Sequence, residues 1–86
     1  NESNASKLVN LSRLMNIAKY YNGDWKPTWS DKNEYKYFII YKGDIYKVDY
    51  YWATISNNIY FKNKKDAQAV IDNPNFRDIL DAIYKN

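Results

Sequence analysis

The chain has no cysteine and no histidine among its 86 residues. Without cysteine, disulfide bonds cannot supplement the hydrophobic core, and thiolate zinc sites are excluded. Without histidine, the side chain that most readily transfers protons near neutral pH is missing, and a serine nucleophile would lack its base. Enzymes are therefore the weakest class of function for this sequence, and we expect no catalytic residue.

Glycine is scarce as well, with two residues in the chain. Neither of the glycine-rich motifs that bind phosphate groups, G-x-x-x-x-G-K-[ST] and G-x-G-x-x-G, occurs. No apolar run approaches the ~18 residues that a membrane-spanning helix needs, and no signal peptide is recognisable. We expect no cofactor, no metal ion and no membrane partner.

The carboxylates that could replace histidine have structural explanations. Asp49 lies inside a predicted strand, beside Lys47 or Lys36, where a cross-strand ion pair accounts for it. The remaining candidates stand at predicted turns or helix caps; they are Asp24, Asp31, Asp44 and Asp66. Lysine and arginine number 13 against 10 acidic residues, so the net charge of +3 permits nucleic-acid binding without requiring it.

The stretch from Tyr35 to Trp52, YKYFIIYKGDIYKVDYYW, predicts a β-hairpin. Gly43 can take the positive φ that a two-residue type II′ turn needs at its first position, so that Lys42 faces Ile45. Side chains alternate between the two faces of a strand pair. One face, which we call the aromatic face, then holds Tyr35, Tyr37, Ile39, Tyr41, Tyr46, Val48, Tyr50 and Trp52. The other, the lysine face, holds Lys36, Phe38, Ile40, Lys42, Ile45, Lys47, Asp49 and Tyr51. We expect the aromatic face to point inward, with Tyr50 and Trp52 largely buried.

The segment before the hairpin has helical periodicity from Asn4 to Tyr21. Its apolar residues recur at i, i+3, i+7 and i+10; they are Leu8, Leu11, Met15 and Ala18. The stripe is widened by Val9, Leu14, Ile17 and Tyr21. Asn22 and Gly23 form a natural helix stop, because glycine takes the left-handed conformation that closes a helix. We expect this helix to pack on the aromatic face.

Three further elements are predicted after the hairpin. A turn at residues 56–58 leads into a short third strand, Ile59 to Phe61. Asn63 is a good N-cap for a helix that stops near Asp72, and Asn73 followed by Pro74 begins a last helix that runs to about Tyr84. The predicted fold class is α+β, a three-stranded antiparallel sheet with helices packed mainly on one face, in the order α-β-β-β-α-α. We expect residues 1–86 to form a single domain, a fragment or module of a larger protein, since the chain begins without methionine.

Two candidate binding surfaces follow from this arrangement. On the lysine face, cations interleave with stackable or apolar side chains, as single-stranded nucleic acid requires; these are Lys36, Phe38, Ile40, Lys42, Lys47 and Tyr51. Alternatively, a helix or a second copy covers Phe38 and Ile40 while lysines border the contact. A third alternative is that this face is fully buried inside the protein. In the loop before the hairpin, Trp25 and Trp29 either plug the open end of the core or form an exposed pair that anchors a partner.

Two motifs carry a resemblance to a known group of proteins. They are NGDWKPTWSD, from Asn22 to Asp31, and YFKNKKDAQAVI, from Tyr60 to Ile71, which follows a Tyr-rich hairpin. With them the chain resembles, over roughly Leu11 to Leu80, a small domain of phage and prophage proteins from low-G+C bacteria. Thr28 stands where those proteins usually have an acidic residue. The resemblance implies source and architecture, and it supplies no catalytic residues.

These observations together predict a non-enzymatic interaction module of phage or prophage type that binds a protein partner or itself. The first alternative is single-stranded nucleic-acid binding through the lysine face. A second alternative, suggested by the resemblance, is an inhibitor of a host defence or DNA-processing protein. The expected location is the bacterial cytoplasm or the virion.

Overall fold

A computed structural model of the protein describes residues 2–51 and 59–85. Its elements are α1 (Glu2–Asn22), β1 (Lys36–Lys42), β2 (Ile45–Tyr51), α2 (Lys64–Asp72), a 3₁₀ turn (Pro74–Phe76) and α3 (Arg77–Tyr84). The class is α+β. Within the two described ranges, no helix is long and apolar enough to cross a membrane.

The hairpin has the predicted register but a different turn. Lys42 pairs with Ile45 and Ile39 with Val48, in an antiparallel ladder. Gly43 and Asp44 both have positive φ, +63° and +64°, which defines a type I′ turn rather than type II′. The type I′ turn matches the right-handed twist of the strands, and aspartate tolerates the left-handed region better than most residues.

The prediction of a three-stranded sheet is wrong, because the sheet formed by the described residues has two strands. Phe61 forms one isolated bridge with Tyr37, through hydrogen bonds of 3.1 and 2.7 Å. The Asn22 side chain binds the backbone on either side of Phe61: it donates to the Tyr60 carbonyl at 2.9 Å and accepts from the Lys62 amide at 3.0 Å. Helix α2 begins at Lys64, two residues after Lys62, so the extended segment ends before Lys64. The predicted turn at 56–58 lies outside the described residues.

The main core lies between the hairpin and the three helices. Ile39 and Tyr46 of the hairpin are buried with residues of every helix and with Phe61; the helical members are Leu14, Ala18, Ala67, Val70, Ile71, Leu80 and Ile83. Helix α2 packs on both strands. Helix α1 packs chiefly on α3, whereas it was expected to pack on the aromatic face of the hairpin. Tyr50, expected to be buried, is 43% exposed. Trp52 lies outside the described residues.

Helix α1 buries one side of the predicted apolar stripe and leaves the other side exposed. Leu14 and Ala18 are buried, but Leu8 is 68% exposed and Met15 59% exposed. Leu11 is half-buried. Since α1 packs against α3 along the Leu14 side, half of the periodic stripe in its sequence is left on the surface.

Candidate interaction surfaces

The lysine face of the hairpin is not an open surface. Lys36 and Phe38 are only 0% and 3% exposed. Ile40 is half-buried, while Lys42 and Lys47 are exposed at the other end of the hairpin. Tyr51 is exposed at the end of β2. Two of the three predicted phosphate-binding lysines are therefore accessible, and the predicted stacking ring of Phe38 is not.

Aromatic rings cover the buried end of the lysine face. Phe38 stacks on Tyr51, with ring centroids 4.7 Å apart, and meets Tyr60 edge-on at 5.8 Å. Trp29 in turn meets Tyr60 edge-on at 5.0 Å. The Lys36 ammonium lies 5.3 Å from the centre of the Trp29 ring. Trp29 therefore closes this end of the hairpin and is not a free anchor.

Residues 23–35, which we call the Trp loop, are held together by Glu34. Its Oε1 accepts the Thr28 amide at 2.7 Å and lies 3.5 Å from the Lys36 ammonium. Its Oε2 accepts the Trp25 indole N–H at 3.4 Å. Lys36 also donates to the Asp31 carbonyl at 2.8 Å. Lys36 is thus a buried structural cation that ties the strand to the loop.

The role of Glu34 was missed in the sequence. One signal could have found it: Glu34 is two residues before Lys36, and in extended backbone such residues lie on the same side. An ion pair between them was therefore predictable, although its burial was not.

Trp25, the second tryptophan of the Trp loop, lies beside a groove between α1 and this loop. This groove has a volume of about 630 Å³. Its apolar wall consists of Met15, Ala18, Trp25, Pro27, Ile59 and Tyr60. Lys19, Asp24 and Lys26 also line it and are exposed. The groove is thus apolar within and carries two lysines against one aspartate at its border.

The exposed residues of α1 extend this groove along the helix. Leu8, Leu11 and Met15, which we call the α1 stripe, are spaced by three and four residues and so share one side of the helix. Met15 belongs to both the stripe and the groove. The protein therefore presents one continuous apolar surface, from the N-terminal half of α1 to Trp25.

A polar cluster at the turn end of the hairpin has a structural role. The Tyr46 hydroxyl donates to Asp81 Oδ1 at 2.6 Å, and the Arg77 guanidinium lies 4.9 Å from the Tyr46 ring centre. Burial and the bond to Asp81 raise the pKa of Tyr46, and the same bond lowers the pKa of the Asp81 carboxyl. These contacts connect α3 to the strand pair.

No site for a metal ion is found in the described part of the chain, where no three acidic side chains form a group. Nor does any buried side-chain nitrogen or oxygen there lack a hydrogen-bond partner.

Comparison of the chain with protein-family models, with curated proteins and with solved structures finds no match.

Proposed function

We propose that this protein is a non-enzymatic interaction module that binds a protein partner through the α1 stripe and the adjoining groove. One observation carries the proposal: Leu8 and Met15 are more than half exposed on one side of α1, and Met15 continues into the groove. Contiguous apolar surface of this kind is costly to leave in water and marks interaction sites in folded proteins.

The shape of the surface indicates what the partner presents. A groove of about 630 Å³ has the size of pockets that take up a compact apolar group, such as a large side chain. The α1 stripe can pack along a second amphipathic helix, whose anchors would recur every three or four residues. We therefore propose a helical partner segment with one large apolar anchor for the groove.

The charge at the groove indicates the flanks of that segment. Lys19 and Lys26 are exposed there beside the one carboxylate of Asp24. Acidic residues next to the anchor would meet these lysines and speed association. The resemblance to phage and prophage domains extends the proposal to proteins of the phage or its bacterial host, including host defence and DNA-processing proteins.

Single-stranded nucleic-acid binding receives less support from the geometry. It requires cations and stacking rings on one open surface. On the lysine face, Lys36 and Phe38 are buried, which leaves Lys42 and Lys47 with Tyr51 at its border. On α1, by contrast, Leu8 and Met15 are more than half exposed.

A selection from random peptides tests the proposed function. Peptides displayed on a library are selected against the immobilised protein, and we expect sequences with apolar residues at i and i+3 or i+4 and acidic flanks. The variant Met15→Glu should lose these peptides, because it places a negative charge at the junction of stripe and groove. The matched control is Tyr20→Glu, since Tyr20 is also exposed on α1 but lies outside the stripe and groove.

Two results would contradict the proposed function. One is that selection against the parent protein enriches no sequence more than a parallel selection against the Met15→Glu variant. The other is an enriched sequence that binds Met15→Glu and the parent equally, since the binding surface would then lie elsewhere.

A further inference from the structure

The outer edge of β2 is a second surface, distinct from the α1 stripe and groove. β2 pairs with β1 along one side, and none of residues 2–51 or 59–85 pairs with its other side. Tyr37 directs its backbone groups to Phe61, away from β2. Because neighbouring residues in a strand point to opposite edges, the alternation places the N–H and C=O groups of Tyr46 and Val48 on the outer edge of β2. An edge of this kind is a template for another strand.

We propose that a second copy of this chain occupies this edge, with the two β2 strands antiparallel and a two-fold axis at Val48. The two hairpins would then form one continuous four-stranded sheet. Near the middle of the strand, three registers set residues whose backbone groups lie on the outer edge opposite one another. Their two-fold axes pass through Lys47, Val48 or Asp49. The first sets Lys47 opposite Lys47 and the third sets Asp49 opposite Asp49, and like charges directly opposite are destabilising.

The register centred on Val48 makes the strand complementary to itself. Lys47 then lies opposite Asp49 of the second copy, and the symmetry produces this pair twice. Both side chains are exposed, and within the described part of the chain neither takes part in an ion pair. They occupy non-hydrogen-bonded positions of the new ladder, where opposing side chains come closest. Charge complementarity therefore selects this one register.

The flanking pairs add apolar contact in the same register. Ile45 lies opposite Tyr51 of the second copy, and both are exposed in the free protein. One hydrogen bond has to change: the Tyr50 amide, which donates to Asp49 Oδ1 at 2.8 Å, would turn to the Tyr46 carbonyl of the second copy. This exchange frees the Asp49 carboxylate for Lys47.

Charge reversal gives a test with an internal rescue. In Lys47→Asp, each cross-strand pair sets two negative charges opposite each other. In Asp49→Lys, each pair sets two positive charges opposite each other, so both variants are repulsive. Each variant should dimerise roughly tenfold more weakly than the parent, from two pairs that each change by up to ~1 kcal/mol. The double variant K47D/D49K should regain the parent's dimer, since its charges are again opposite across the axis.

A mixture of the two single variants is the sharper arm of the test. A heterodimer of Lys47→Asp with Asp49→Lys has an opposite-charge pair at both positions, so we expect it to form where neither homodimer does. Sedimentation velocity over a range of concentrations, with one variant labelled, measures all these states. Lys42→Asp is the matched control, because Lys42 is exposed on the other strand and should leave the dimer unchanged.

A parent protein that stays monomeric at millimolar concentration would overturn the proposed dimer, and so would two single variants that fail to form a heterodimer. Met15→Glu should dimerise like the parent, because Met15 lies on α1 and not on this edge. Failure of peptide selection would therefore leave the dimer standing, and a monomeric parent would leave the proposed partner site standing.

Discussion

Replacing Lys36 by alanine tests whether this residue is a structural cation rather than a binding residue. Its side chain is 0% exposed, so the substitution removes a buried aliphatic stem and leaves a cavity. It also removes the cation beside Glu34, which retains the Thr28 and Trp25 N–H groups as donors. Loss of a buried stem alone costs about 2–5 kcal/mol, and we expect a total of about 3 kcal/mol because Glu34 stays partly satisfied.

Thermal unfolding followed by circular dichroism measures this loss. For a chain of this size, 1 kcal/mol corresponds to roughly 4–8 °C, so Lys36→Ala should melt about 12–24 °C below the parent. Lys36→Met keeps most of the stem and should lose about half as much free energy, roughly 1–2 kcal/mol. Trp25 and Trp29 fluorescence should change in the same variants, since both rings adjoin the ion pair.

The matched control is Lys42→Ala, because Lys42 is an exposed lysine at the end of the same strand. It should change the free energy of unfolding by no more than ~0.5 kcal/mol. A Lys36→Ala variant that melts within about 4 °C of the parent would refute the buried ion pair. So would a Lys42→Ala variant destabilised to the same extent.

Three further outcomes follow from contacts elsewhere in the fold. Tyr46→Phe removes the hydroxyl that donates to Asp81 and should cost about 1.5–3 kcal/mol in urea unfolding. The Asp81 carboxyl has a pKa below its ordinary 3.8 in the folded state, so its contribution is present above that pH and is lost as the pH falls through the lowered pKa; Tyr46→Phe should lose less stability over that range. Burial raises the pKa of Tyr84 from 10.0 to about 12, so stability should fall as the pH rises between these values, and Tyr84→Phe should reduce that fall. Asn22→Ala leaves the Tyr60 carbonyl and the Lys62 amide without their partner and should cost about 1–3 kcal/mol, whereas an unchanged melting temperature would show that this amide does not hold the segment.

The elements that could be predicted are those set by local periodicity. Alternation along the hairpin and Gly43 at the turn determined the register, which the pairing of Ile39 with Val48 confirms. Helix α2 was also predicted from its apolar spacing, although the Asn63 side chain makes no capping hydrogen bond. A last helix was predicted from Pro74 to about Tyr84; the structure begins this segment with a 3₁₀ turn, in which the Asn73 side chain accepts the Asn75 amide, and continues it as α3.

The wrong predictions concern segments whose backbone or side chains are contacted by residues distant in the sequence. The third strand was predicted from Ile59 to Phe61, but the Asn22 amide from the end of α1 binds the backbone beside Phe61. Lys36 was placed on an open face because alternation treats every lysine as exposed. The pairing of Lys36 with Glu34 could have been predicted from their spacing, but the position of Trp29 over that lysine and the burial of the pair have no periodic signature.

The α1 stripe was visible in the sequence, but it was expected to pack on the hairpin. Leu8, Leu11 and Met15 have the spacing of a core-facing helix, and periodicity alone cannot tell a stripe that packs inside the protein from one that packs on a partner. α3 packs against α1, which buries Leu14, leaves Leu8 and Met15 exposed and leaves Leu11 half-buried. Trp25, which was named as a candidate binding residue, lines the groove, and its binding role stays a prediction.

Chemical-shift mapping tests the central claim, that the α1 stripe and groove form the partner site. The ¹⁵N-labelled protein is titrated with a peptide obtained by the selection described above, and backbone amide shifts are followed. We expect the largest changes at Leu8, Met15, Lys19 and Trp25, with the indole N–H of Trp25 among them, and little change at Lys47 on the β2 edge. Changes confined to β2 or to the lysine face, with the amides of α1 unmoved, would contradict the account.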